Sequence, residues 1–231
     1  LTGNIPQVNN YGTPPTATCR AQVLLVKRIT ALNGSTANLT SFIDETNPPN
    51  PADDNNPSWI PGYLIGGGTT NPSDPFNGSS PTLHAKPGDT LDYTIYFVNS
   101  GGNRAQNVRI CDPIPPNTEF VPDTYNALFP KDGGLPADSG IALAIGSSTP
   151  TAYLTNINDP PDRGQYFPPG IVPPNCFDTA GNPITSNPNG VVVVNVTRTT
   201  GSPTFPHLPA NTVSNPSTQN YGFVRFRVRI K

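Results

Sequence analysis

The residues of this chain whose types could do chemistry are few: three cysteines, two histidines, one inward-facing lysine and some loop carboxylates. Cys19, Cys111 and Cys176 lie too far apart for a zinc or redox motif. In an oxidising compartment an odd count implies one disulfide plus a leftover thiol, or an intermolecular bond. Cys111 ends an apolar run, and Cys176 sits in the loop Pro173-Pro174-Asn175-Cys176, which would profit from a staple, so these two are the favoured pair. The alternative is three buried thiols acting as small apolar residues. Either way Cys19 has no assigned role.

Lys27 shares a strand face with Val23, Leu25 and Ile29, which draws its ammonium toward the core. Some surface sandwiches use such a lysine to form an isopeptide bond with an asparagine, helped by a buried carboxyl group. Asn195 is the partner the sequence offers and Asp92 the acid. Against this, Asp92 alternates away from Leu91 and Tyr93, and a lysine snorkelling at the sheet end is the simpler reading. Asp53-Asp54 and the run from Asn156 to Asp162 offer oxygen ligands to calcium, but without the spacing of a calcium loop. Asn and Asp in loops more often hold turns. His84 and His207 lie far apart with no nucleophile motif beside either, and Gly66-Gly67-Gly68 lacks the Lys-Ser/Thr of a phosphate loop. The chain therefore reads as a non-enzyme, with no catalytic, metal or cofactor residues.

Composition narrows the class. Of 231 residues 31 are proline and 21 glycine, and only 12% are charged, against a usual ~5% proline and ~25% charge. The apolar residues still fall into strand-length runs, so the reading is all-β with long ordered loops rather than disorder. A net charge of −2 supplies no field for nucleic acid, and no apolar run reaches bilayer-spanning length. The opening Leu1-Thr2-Gly3-Asn4 is neither a signal peptide nor an initiator start, so any signal is expected to have been removed.

Lys86 to Pro115 is the most informative stretch. A turn at Pro87-Gly88-Asp89 launches a strand with Leu91, Tyr93, Ile95 and Phe97 on one face and Asp92, Thr94 and Tyr96 on the other. Asn99-Ser100-Gly101-Gly102 closes it. A second strand from Asn107 to Cys111 meets Asp112-Pro113-Ile114-Pro115, which is expected to end the pairing. Further strands are expected at 21–30, 118–121, 190–197 and 221–230, with short ones at Ile141–Ile145 and Ala152–Leu154. Apolar residues on both faces of 21–30 suggest an interior strand. Residues 44–89 and 123–189 read as two insertions, ordered yet poor in regular structure. The expected architecture is residues 19–231 as one β-sandwich domain, preceded by a tail, residues 1–18.

The ordered set Lys27, Pro87-Gly88-Asp89-x-Leu91-x-Tyr93-x-Ile95, Asn99-x-Gly101, Val108-x-Ile110-x-Asp112-x-Ile114-Pro115 and Phe120 resembles an extracellular "conserved repeat domain", the domain-of-unknown-function family numbered eleven. The likeness is good over 86–121 and positional elsewhere. It implies an immunoglobulin-like antiparallel β-sandwich found in large secreted, cell-wall or filament-forming proteins, and no catalytic residues. Members often occur in tandem, whereas this chain carries one copy, which suggests copies assembled by contact between chains. In the tail, Ile5, Val8 and Tyr11 show no period that could build a core, so they are expected to anchor on an identical subunit as a donor strand.

The expected role is a self-assembling structural subunit of an extracellular filament, pilus-like fibre or surface layer. The alternative is an adhesin-like module binding a glycan or cell surface. For glycans, Trp59 with Tyr63 could stack on a sugar ring or simply pack an insertion onto the sandwich. Asn33, Asn38, Asn77 and Asn195 match the glycosylation sequon. The stripe Arg225, Arg227 and Arg229 reads as a solvated face that discourages wrong edge pairing.

Overall fold

In the segment Tyr221–Ile230, large apolar side chains alternate with arginines, and in Thr90–Asn99 they alternate with polar groups, the period that makes a strand with two distinct faces. The computed structural model describes residues 20–36, 56–65, 85–133, 135–178, 181–201, 204–212, 215–216 and 218–231. Among them there is no helix, and the chain forms β1 (Val23–Leu32), β2 (Thr90–Asn99), β3 (Ala105–Gln106), β4 (Arg109–Pro113), β5 (Thr118–Phe120), β6 (Ile141–Ile145), β7 (Ala152–Leu154), β8 (Gly164–Phe167), β9 (Val191–Asn195), β10 (His207–Leu208), β11 (Asn211–Thr212), β12 (Asn215–Pro216) and β13 (Tyr221–Ile230). The main sheet runs β1-β2-β13-β6-β7, with β5 also on β13, and the second runs β4-β9-β8. Every one of these pairings is antiparallel. The short pairs β3–β10 and β11–β12 stand apart.

The two sheets pack face to face. Tyr93, Ile95 and Phe97 of β2, with Val224, Phe226 and Val228 of β13, share one core with Ile110 of β4 and Val192 and Val194 of β9. That is the β-sandwich arrangement, in which the inner faces interdigitate. The inward set of β2 is the one expected from its alternation. Buried Asn99 ties the end of β2 to its surroundings. Its amide donates to the carbonyls of Asn103 and Pro209, and its oxygen accepts from Gln22 N and Gly101 N. A polar group this deep needs all of these partners.

Three features depart from expectation. β1 pairs with β2 on one side and, among the described residues, meets only Ser35 at its Leu32 end on the other, so it is a rim strand rather than an interior one. Its two-sided apolar pattern has a different cause. Val23, Leu25 and Ile29 face the sandwich core, while Leu24 and Val26 are buried beneath Trp59 and Leu64 of residues 56–65. Bilateral apolarity reports two covered faces and says nothing of lateral position. Pro113 does not stop β4 short but is its last paired residue, opposite Val191. β4 lies at the edge of its sheet, where a missing N–H costs no ladder bond.

The third departure concerns residues 123–189. The short strands expected at 141–145 and 152–154 are present. They are not an appendage, however, because β6 pairs with β13 from Ile141 to Ile145 and is buried over four of its five residues. Gly222 of β13 makes this close approach possible, since a Cβ there would strike the Ala144 carbonyl oxygen and the Phe97 ring.

The segment 56–65 is held by its aromatics. Tyr63 meets Tyr96 and Tyr221 edge-on, at 5.5 and 4.8 Å between centroids, and its hydroxyl donates to Ser147 O at 2.8 Å. Trp59, the single tryptophan, is buried, so the packing role is the one it fills. Trp59→Ala is expected to cost about 3 kcal/mol in denaturant unfolding, the usual toll of removing a large buried aromatic. A loss under half that size would show that the segment does not cap the sheet.

Candidate functional site

Between the facing sheets, at the rim formed by β1 and β4, Lys27 Nζ lies 2.6 Å from Asp112 Oδ2. The side chains are only 13% and 15% exposed. The ammonium also sits over the Tyr93 ring, 4.5 Å from its centroid, with the Phe226 ring at 5.7 Å. Burial pushes the Asp112 carboxyl above its ordinary range, and the neighbouring Lys27 charge only partly opposes this. Asp112 Oδ2 is buried, and its close polar contact among the described residues is the Lys27 ammonium.

The expected Lys27–Asn195 pairing is corrected by this geometry. Lys27 points between the sheets, whereas Asn195 alternates with Val194 to the outer side of β9 and accepts from Arg109 Nε at 2.8 Å. Asp92 is not its acid either, because both Asp92 oxygens are held by Arg227, at 2.6 and 3.0 Å on the outer face of the main sheet. The true partner was legible in the sequence. Val108, Ile110, Asp112 and Ile114 alternate, so Asp112 shares the inward side with three apolar residues.

Cys111 and Cys176 form a disulfide, with Cα atoms 5.8 Å apart. Cys111 faces outward from β4, where Cys176 packs with Phe167, Val191, Val193 and Ile184. The bond thus fastens the Pro-rich loop onto the outside of the second sheet. Closing a loop of 65 residues stabilises the fold by roughly 4 kcal/mol in the chain-entropy model. Reduction is expected to lower unfolding stability by about that amount, and recovery of all three cysteines as free thiols in non-reducing peptide maps would overturn the pairing.

The arginine stripe is not a free basic surface. Arg225 Nε donates to Thr94 Oγ1 at 2.8 Å with its guanidinium over Phe223, Arg227 grips Asp92, and Arg229 reaches Glu119 at 3.4 Å. A second knot is more deeply buried. Asp132 accepts from Arg163 Nε at 2.7 Å and Arg198 Nη1 at 2.9 Å, joining the segments before β6, before β8 and after β9. Asp132→Ala is expected to destabilise the protein by about 3–5 kcal/mol, because two buried guanidiniums lose their carboxylate. Thermal unfolding of the variant checks this, and an unchanged midpoint would contradict it.

Beside this knot opens a cleft of about 600 Å³, lined by Arg109, Asn175, Phe177, Asn195, Arg163 and Arg198 among others. The acidic run at 156–162 serves turns. Asp162 accepts from Thr155 N and Gly164 N, Asn156 from Gly140 N and Asp159 from Leu135 N. Burial nevertheless pushes the Asp162 carboxyl up, with those backbone bonds opposing. Among the described residues no three His, Cys, Asp or Glu side chains converge as metal ligands. His207 pairs with Gln106 across β10 and β3. The sequon residue Asn33 is engaged, donating to Asp89 and accepting from Thr90 N. Ile5, Val8, Tyr11, Cys19, Asn38, Asp53, Asp54, Gly66-Gly67-Gly68, Asn77 and His84 lie outside the described residues.

No family model matches this chain, and neither a curated protein nor a solved structure shows a significant match to it.

Proposed function

We propose that this chain is a structural subunit of an extracellular filament, pilus-like fibre or surface layer, whose copies join by strand addition. One observation carries this reading. β1 is a ten-residue rim strand with both faces covered and, among the described residues, its outer side unpaired except at Leu32, which bridges to Ser35. A strand laid there extends an existing sheet without repacking it. The donor is residues 1–18 of a neighbouring copy, anchored by Ile5, Val8 and Tyr11. Head-to-tail contacts between unlike surfaces do not close on themselves, and so they build a filament unless the rotation makes a ring.

Other observations support an extracellular setting. The disulfide suits an oxidising compartment, and no helix among the described residues is long and apolar enough to cross a membrane. The resemblance to the conserved repeat domain supports an immunoglobulin-like filament or surface role. A second reading, glycan binding by an adhesin-like module, is favoured by the amide- and guanidinium-lined cleft with its half-exposed Phe177. A binder of that kind stays monodisperse at any concentration.

Deleting residues 1–18 is expected to leave a folded monomer that no longer polymerises, while the full chain forms filaments in electron micrographs. Native filaments from the truncated protein, or a tail lying along its own sandwich, would sink the strand-donor reading.

A further inference from the structure

We infer that Lys27 and Asp112 condense to an intramolecular isopeptide bond, a covalent tie between β1 and β4 across the sandwich. This stands on the geometry of the pair and does not depend on the filament reading. The nitrogen and the carboxyl oxygen are 2.6 Å apart and largely screened from water. Oδ2 is itself buried and has no other partner among the described residues. Aromatic rings of Tyr93 and Phe226 form the wall around the amine. As separate ions, both groups bear a desolvation cost that their attraction need not recover. The amide removes both charges at once.

The step balances without any co-reactant. A proton passes from the Lys27 ammonium to the Asp112 carboxylate, a transfer that burial favours. The freed nitrogen lone pair attacks Cγ of Asp112, and the Cγ–Nζ bond forms. One nitrogen proton moves to the departing hydroxyl, the Cγ–O bond breaks, and one water leaves. Nothing is oxidised or reduced. In bulk water this condensation is unfavourable, but two groups fixed in contact react as though at very high concentration, with effective molarities of roughly 10⁵ M or more. Water has little access to reverse it. The two strands so joined are the rim strands of their sheets on one edge of the sandwich, where the sheets would otherwise part most easily.

The test is the intact mass of the full-length protein, denatured and reduced so that the disulfide does not contribute. The wild type is expected to be lighter than its sequence by one water. Trypsin should then yield one branched peptide, residues 21–28 joined to 110–131, uncut after Lys27. Lys27→Arg, which keeps the charge but cannot form this amide, is expected at full sequence mass with the two peptides separate. Full mass in the wild type, with Lys27 and Asp112 recovered on separate unmodified peptides, overturns the inference. So does a water loss that maps elsewhere or persists in Lys27→Arg. The wild-type mass and peptide map are decisive by themselves, even where the variant fails to fold.

Discussion

Burying both faces of the main sheet is the constraint on which the rest of this structure depends. β2 carries eight buried residues in succession followed by Asn99, and five of the ten residues of its neighbour β13 are buried. One face is covered by the second sheet, as in any sandwich. The other needs a separate cover, and the chain supplies it from segments that make no regular structure. Residues 56–65 cover the apolar half, over Leu24, Val26, Tyr96, Val98 and Phe223. The polar half closes through paired groups instead. Arg227 meets Asp92, Arg225 meets Thr94, and Thr30 meets Thr94 at 2.7 Å. Buried Tyr125 packs nearby against Tyr153.

That arrangement accounts for the composition. Long covering segments must run in extended, non-repeating paths, which proline stabilises by limiting the unfolded chain. Among the described residues their carboxylates and amides hold turns and latches, as with Asp162 on Thr155 N and Asn33 on Thr90 N. Among the described residues several buried charges are paired, while buried Arg28 donates to the Leu64 carbonyl. Asp132 between two arginines is the clearest case of pairing, and it ties the segment before β6 to the flanks of the paired strands β8 and β9. The disulfide does the same work on the outer face of β4.

The Lys27–Asp112 pair differs from these in where it sits. It lies inside the sandwich, between the sheets, with aromatic walls around the amine. Its position at the β1–β4 rim matters mechanically. In a fibre of the kind proposed, load would enter at the edge strands, and a link between edges of opposite sheets would resist the separation that opens the core. The proposed strand addition at β1 and the proposed amide bond at the same rim are therefore compatible but independent features.

Much of this was already present in the linear sequence. The two-residue alternation of Leu91 to Phe97, Val192 to Val196 and Val224 to Val228 determined which side chains face inward, because alternation is a local property of extended backbone. The same rule placed Lys27 inward and, carried along Val108-x-Ile110-x-Asp112, points to its partner as well. The all-β class and the Cys111–Cys176 pairing were likewise legible. Lateral order was not. Apart from proline, every residue offers the ladder the same N–H and C=O, so nothing local says that β1 lies at a rim or that β6 pairs with β13, and the N–H that Pro113 lacks is tolerated because β4 proves to be an edge strand. Those relations, and the covering of the outer face by residues 56–65, were decided by tertiary packing, where burial of the remaining apolar surface selects among neighbours that the backbone alone cannot tell apart.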